Sequence, residues 1–142
     1  MSGFCFNHYR IDVSAMPENL ETVCEFVFNL MKGHNFSSRA ISEIGIVIDE
    51  IYSNIVRYAY HETKGSVSVL VCPGGGPETI TLTFMDSGQP FNPLKTADPD
   101  ISRDIESRDI GSLGIFMVKQ IMTSVAYEYR DFKNILTLRK TF

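Results

Sequence analysis

The sequence of 142 residues has no tryptophan, few cysteines and no excess of basic residues. Its 13 Lys and Arg against 17 Asp and Glu give a net charge of −4, whereas a nucleic-acid surface needs clustered positive charge. No apolar run approaches the roughly 20 residues that span a bilayer. Polar residues from Asn7 to Asp12 also interrupt any stretch resembling a signal peptide. We therefore expect a cytoplasmic protein that binds neither nucleic acid nor membrane directly.

The cysteines are odd in number and widely spaced, at Cys5, Cys24 and Cys72. None forms a zinc-type cluster with a histidine. This usage favours reduced thiols that fill the core over a disulfide framework. The hydrophobic fraction of 44% and the charged fraction of 21% are ordinary for a globular protein. The length fits one domain covering residues 1–142.

Hydrophobic periodicity predicts the order β-α-α-β-β-loop-α-β-β. The order indicates an α+β fold: a two-layer α/β sandwich with a mixed, mostly antiparallel sheet and helices on one face. A loop without periodicity, at 87–109, separates the third predicted strand from the third predicted helix. Loops this long in a compact domain are usually functional or mobile. The predicted strands are 4–13, 67–71, 79–84, 125–129 and 135–138, the helices are 17–33, 37–60 and 113–122, and the loop is 87–109.

A carboxylate and a carboxamide lie one turn apart on the second predicted helix. At about 100° per residue, Glu50 and Asn54 share a row at the rim of the apolar stripe, whereas Asp49 falls on the solvent side. A partly desolvated but reachable carboxylate suits a general base. An amide oxygen suits Mg²⁺ that keeps some of its water. Taken alone, the pair is explained more simply as a solvated helix edge.

A second carboxylate ends a predicted buried strand. Asp86 continues the inward parity of Ile80, Leu82 and Phe84, so its side chain needs a hydrogen-bond partner. Gly88 permits an unusual backbone angle or the close approach of a ligand. An exocyclic amine that donates to Asp86 would explain both residues. A turn in which Asp86 caps its own backbone explains them equally well.

Two glycines bracket the start of the third predicted helix, at Gly111 and Gly114. A glycine turn into a helix N-terminus can present backbone N–H groups to phosphate, although an ordinary loop-to-helix junction is the commoner origin of a single GxxG. The chain has neither a P-loop nor a Rossmann fingerprint. Any nucleotide site must therefore be of another type.

The three segments occur as E-x-x-x-N on a helix, D-x-G-x-P after a strand and G-x-x-G before a helix. This ordered set resembles the GHKL ATPase superfamily, which includes DNA gyrase, histidine kinases and MutL. The stretches IDEIYSNIVRYAY, FMDSGQPFNP and IGSLGIFMVKQIM look most similar to its serine-kinase anti-sigma factor branch. The resemblance covers roughly Ile11 to Phe142.

The resemblance implies a role for each matching residue. Glu50 matches the general base and Asn54 the Mg²⁺ ligand. Asp86 matches the residue that binds the adenine amino group, and Gly88 is the glycine that follows it. These roles imply ATP and Mg²⁺ as the cofactors.

The phosphate-contacting glycines of the family match Gly111 and Gly114, with Leu113 beside them in the same turn. The segment from Gln89 to Ile110 matches the ATP lid. The chain departs from the family where Tyr58 stands in place of a frequent His. It also departs at Lys133-Asn134, near a site that is commonly Gly-Thr.

By this resemblance, the protein is an ATP-dependent serine/threonine kinase of the anti-sigma type. It would phosphorylate an anti-anti-sigma partner (STAS-type), sequester a sigma factor and form a homodimer. A non-catalytic, nucleotide-gated protein-binding module is the alternative. A histidine-kinase catalytic domain is a further alternative, although the chain has no separate dimerisation helix carrying a phospho-acceptor His.

Overall fold

The computed structural model describes residues 7–60, 64–95 and 112–142. These form five strands and three α-helices. The strands are β1 (Tyr9–Ser14), β2 (Ser66–Pro73), β3 (Thr79–Asp86), β4 (Ser124–Arg130) and β5 (Lys133–Thr141). The helices are α1 (Leu20–Gly33), α2 (Ser38–Asn54) and α3 (Ser112–Ile121), with 3₁₀ turns at Pro17–Asn19 and Pro93–Lys95 and a π-helical turn at Ile55–Ala59.

The five strands form one sheet in the order β1-β2-β3-β5-β4. Every pairing is antiparallel, which confirms the predicted α+β class and removes the mixed option. The central strand β3 lies between β2 and β5, and its last residue, Asp86, pairs with Val67 on one side and with Asn134 on the other. The end of β3 is therefore enclosed by neighbouring strands.

The core lies between the helices and one face of the sheet. Alternate residues of β2 are fully buried at Val67, Val69 and Val71, as the period of two requires. The opposite face carries polar side chains, where Arg10 and Ser68 both hydrogen-bond Asp12. Core residues of α2 that pack against the inner face include Ile44, Val47, Ile48 and Ile51. Full burial of each such side chain contributes about 1.5–3 kcal/mol.

The second helix differs from the prediction at its end. It was predicted to run from Ser37 or Ser38 to Tyr60, but α-helical winding stops at Asn54 and a π-helical turn follows. The N-terminal end agrees, because the Ser37 side chain accepts a hydrogen bond from the N–H of Ala40 at 3.1 Å. Tyr52 is absent from the predicted stripe but is buried in the core, where its hydroxyl donates to the Met16 carbonyl at 2.6 Å.

The cysteines only partly agree with the prediction. Cys72, in β2, is disulfide-bonded, so the prediction of reduced thiols is wrong for this residue. Sequence spacing does not reveal which cysteines a fold brings within bonding distance. Cys24, in α1, is a free thiol, and burial raises its pKa. No helix in the described parts of the chain is both long and apolar enough to cross a membrane.

Candidate functional site

A small cavity of about 30 Å³ opens between the end of α2 and the strands β3, β4 and β5. Its walls are mostly apolar, and a few polar groups converge on it, which is the usual composition of a small-molecule site. The apolar walls include Ile51, Ile55, Phe84 and Leu136, and the polar groups come from Asn54, Asp86, Tyr127 and Asn134.

Asp86 is the buried carboxylate of this cavity, with only 6% of its surface exposed. Its Oδ1 accepts hydrogen bonds from the Gly88 N–H and from Asn134 Nδ2, each at 2.9 Å. Burial raises the pKa of Asp86, and these two hydrogen bonds partly oppose that rise. Its Oδ2 accepts no hydrogen bond from the described residues, so one carboxylate oxygen is left for a ligand donor.

Gly88 is required for close packing rather than for an unusual backbone angle, since its φ is not positive. A Cβ at this position would lie 2.2 Å from the carbonyl oxygen of Ala59. The same carbonyl accepts a hydrogen bond from the Gln89 N–H at 3.0 Å. The close approach expected at Gly88 is therefore to the π-helical turn of the chain itself.

Glu50 and Asn54 lie together as the helical row predicts. Asn54 Nδ2 donates to Glu50 Oε1 at 3.1 Å, while Asp49 is exposed. Asn54 is only 6% exposed and lines the cavity with Asp86. Because its amide nitrogen faces the Glu50 carboxylate, its oxygen is the free atom, and this Oδ1 has no hydrogen-bond partner among the described residues.

The free oxygen of Asn54 fits Mg²⁺, which prefers neutral and anionic oxygen ligands. Within the described residues, no group of three or more His, Cys, Asp or Glu could hold a metal ion. An ion here would therefore take its other ligands from phosphate oxygens and water, as Mg²⁺ commonly does at nucleotide sites.

The first turn of α3 packs against Glu50. A Cβ on Gly114 would lie 2.0 Å from Glu50 Cδ, so a larger residue would displace the carboxylate from its present position. Leu113 is 42% exposed on the same turn. Gly111 and most of the predicted lid, from 96 onward, lie outside the described residues.

Asn134, to which the sequence motifs assign no role, is one of the few buried polar residues in the described parts of the chain. Its Oδ1 accepts from the Phe91 N–H at 3.0 Å and from the Tyr127 hydroxyl. Its Nδ2 donates to Asp86 Oδ1 and to the Gln89 carbonyl, each at 2.9 Å. A signal existed, because Asn134 shares the inward parity of Leu136 and Leu138, but the strand was predicted to begin one residue later.

The first residues of the predicted lid are anchored to the π-helical turn that follows α2. The Phe91 ring packs on Tyr58, with centroids 5.2 Å apart. Gln89 Nε2 donates to the Tyr58 carbonyl at 2.9 Å. Tyr58, which stands where the family often has His, therefore supports Phe91, a residue of the cavity wall.

Comparisons with known proteins find relatives that are named as serine or serine/threonine kinases. One relative is the serine/threonine-protein kinase BtrW of Bordetella bronchiseptica, 25% identical over 103 residues that cover 72% of each chain. The serine-protein kinase RsbW of Bacillus cereus is 21% identical over 135 residues, covering 92% of this chain and 83% of the relative. RsbW of Bacillus mycoides is 20% identical over the same length.

Residues 13–140 match the family described as "Histidine kinase-like ATPase domain". The match includes every strand and helix of the described structure from α1 to β4, and nearly all of β5. It also contains the whole cavity between α2 and the sheet. The chain therefore belongs to the histidine kinase-like ATPase domain family.

Proposed function

We propose that the protein is an ATP-dependent serine/threonine protein kinase of the anti-sigma type. The observation that carries the proposal is the pairing of two open oxygens in one cavity: Asp86 Oδ2 and Asn54 Oδ1. Asp86 Oδ2 would accept a hydrogen bond from the amino group of adenine, and Asn54 Oδ1 would be a metal ligand. The relatives named as serine kinases support the same reaction class.

In this proposal, the adenine ring lies between the apolar walls and donates its exocyclic amine to Asp86 Oδ2. The phosphates extend past Asn54 toward the first turn of α3, because the N–H groups of a helix's first turn have no partner within the helix. Gly88 shapes the turn after Asp86. Mg²⁺ held by Asn54 and the phosphates would offset negative charge during transfer.

Glu50 supplies the base. Its carboxylate accepts the proton of a serine or threonine hydroxyl as that oxygen bonds to the γ-phosphorus. The bond from the γ-phosphorus to the β,γ-bridging oxygen breaks, and ADP leaves with the electron pair. The hydrogen bond from Asn54 holds the Glu50 carboxylate at the edge of the cavity, beside the metal ligand.

The substrate of this kinase would be an anti-anti-sigma protein of the STAS type. The same domain would sequester a sigma factor and would act as a homodimer. The second candidate is a non-catalytic, nucleotide-gated binding module, which would use the same cavity without Glu50 as a base. Both candidates bind ATP, so phosphoryl transfer separates them.

The experiment is radiolabel transfer from ATP to a verified partner by the wild type and by Glu50→Gln. The Gln side chain retains an oxygen that can accept from Asn54 Nδ2, so nucleotide affinity should be kept. Loss of the base should slow transfer by about 10²- to 10⁴-fold. Asp49→Asn is the matched control, because it removes the same charge from the adjacent, exposed residue.

Unchanged transfer by Glu50→Gln would reject Glu50 as the base. If the wild type binds ATP but transfers nothing to a verified partner, the non-catalytic module is the better description. Absence of ATP binding by the wild type would reject both candidates.

A further inference from the structure

We propose that Asn134 is a positioning residue that orients the Asp86 carboxylate for adenine recognition. It also ties segment 89–91, which contributes Phe91 to the cavity wall, to the same site. This inference rests on the proposed nucleotide binding. Asn134 is the second residue of β5 and lies directly opposite Asp86 in the sheet register. It is 6% exposed and lines the cavity.

The hydrogen bonds of Asn134 use the full capacity of its side chain. An amide has two N–H donors and one oxygen with two lone pairs. The donors reach Asp86 Oδ1 and the Gln89 carbonyl, and the oxygen accepts from the Phe91 N–H and the Tyr127 hydroxyl. The partners also fix the amide orientation, since two are acceptors and two are donors.

A saturated amide has no hydrogen bond left for a ligand. Asn134 therefore acts on the ligand through its neighbours, although it lies in the cavity wall. This separates its role from that of Asp86, whose Oδ2 has no partner among the described residues.

The consequence for Asp86 is a fixed carboxylate plane. Its Oδ1 is held by donors from two directions, the Gly88 N–H and Asn134 Nδ2, each at 2.9 Å. Rotation about the Cβ–Cγ bond would break both bonds. Only one oxygen is then presented to the ligand, and it matches a single N–H donor such as the 6-amino group of adenine.

The backbone of segment 89–91 is held by hydrogen bonds to the same amide. The Gln89 carbonyl and the Phe91 N–H, one residue on either side of Pro90, both bind the Asn134 side chain. Phe91 contributes its ring to the cavity wall. The Asn134 side chain therefore positions both the Asp86 acceptor and the Phe91 wall of the proposed adenine site.

Asn134→Asp tests this arrangement with almost no change of shape. The variant keeps an oxygen for Phe91 and Tyr127 but replaces both donors by a carboxylate oxygen. That oxygen would face Asp86 Oδ1 at the present 2.9 Å. Two carboxyl groups this close share a proton, so Asp86 would no longer be a simple charged acceptor.

The measurement is calorimetric affinity for ADP and for purine riboside 5′-diphosphate, which lacks the 6-amino group. A hydrogen bond to a charged group is expected to make the wild type prefer ADP by roughly 10- to 100-fold. We expect the preference to fall to within about threefold in Asn134→Asp, because the lost term is specific to the amine. A merely structural role would weaken both ligands equally and keep their ratio.

Asn134→Ala is the second variant, used in case the added charge prevents folding, and it should lower the same ratio by removing one of the two donors that hold Asp86 Oδ1. Asn19→Asp is the control, since Asn19 binds the Ser14 carbonyl outside the cavity. An unchanged ratio in the folded Asn134 variants would overturn the inference while leaving nucleotide binding intact. Absence of ADP binding by the wild type would instead reject the proposed function and the inference with it.

Discussion

The backbone of Gly114 lies against the carboxyl group of Glu50, so closely that a Cβ on Gly114 would be 2.0 Å from Glu50 Cδ. The contact joins the first turn of α3 to the fourth turn of α2. It gives Gly114 a steric role in addition to the phosphate role that the sequence resemblance implies. Glycine at this position keeps Glu50 beside Asn54.

Gly114→Ala should therefore impair transfer more than folding. Alanine is favoured over glycine inside a helix by about 1 kcal/mol, and this gain offsets part of the clash. The Glu50 side chain is flexible enough to move away, but a displacement near 1 Å can slow catalysis about 10²-fold. Thermal unfolding and phosphoryl transfer to the partner measure the two effects. Gly33→Ala is the control, because a Cβ there meets nothing within 4 Å.

If Gly114→Ala retains full transfer activity, Glu50 is not held in place by this contact. A large fall in the melting temperature, with no effect specific to transfer, would show that the clash strains the helix pair instead.

Asp86→Asn should weaken nucleotide binding and stabilise the ligand-free protein. The Asn oxygen can still accept from Gly88 and Asn134, but the buried charge is gone. Loss of the charge-assisted bond to the base amine should cost about 1–3 kcal/mol of binding free energy. Calorimetry with ADP and thermal unfolding without ligand measure the opposite changes.

The gain in stability should depend on pH. Burial raises the pKa of Asp86 above its ordinary value of 3.8, so the folded state binds its proton more tightly than the unfolded state. Wild-type stability from this group is present below pH 3.8 and is lost as pH rises through the folded-state pKa. The advantage of Asp86→Asn should thus be greatest near neutral pH and vanish in acid.

Asp12→Asn provides a control of opposite sign. Hydrogen bonds from Ser68 and Arg10 lower the pKa of Asp12, so its contribution is lost as pH falls. The effect should be small because the site is exposed. If Asp86→Asn were less stable than the wild type at every pH, the carboxylate would be serving the fold rather than a ligand.

Asn54→Ala should remove the part of ATP binding that depends on Mg²⁺. In the wild type, chelation of Mg²⁺ should lower ATP affinity, since the proposed metal would link Asn54 to the phosphates. In the variant, affinity with Mg²⁺ should approach the value measured with a chelator. Calorimetry in both buffers gives the comparison. An equal loss in both buffers would indicate that Asn54 contacts the nucleotide or supports the cavity without a metal.

Much of the fold follows from periodicity, because buried and partly buried positions alternate along most of β2 and β3. The same parity placed Asp86 inward, and helical spacing placed Asn54 beside Glu50. Asn134 was missed although its parity is equally clear. Its importance depends on its pairing with Asp86 across two strands, and local sequence does not encode that register.

The winding of the α2 end was also not predictable, because Ile55–Ala59 carries an ordinary helical pattern. Its π-helical form depends on tertiary contacts at the exposed carbonyls: Ala59 accepts from Gln89 N, and Tyr58 accepts from the Gln89 side chain. The disulfide of Cys72 was not predictable for the same reason, because it depends on the tertiary fold and not on the local sequence.

The π-helical turn has a consequence for how this segment can change in evolution. An i→i+5 turn accommodates one more residue than an α-helical turn of the same rise. A deletion of one residue within Ile55–Ala59 would restore α-helical winding and withdraw the Ala59 carbonyl from the Gln89 N–H. The number of residues between Asn54 and Tyr60 is therefore constrained, because Asn54 lines the cavity before this turn and the Ala59 carbonyl accepts from the Gln89 N–H at its end.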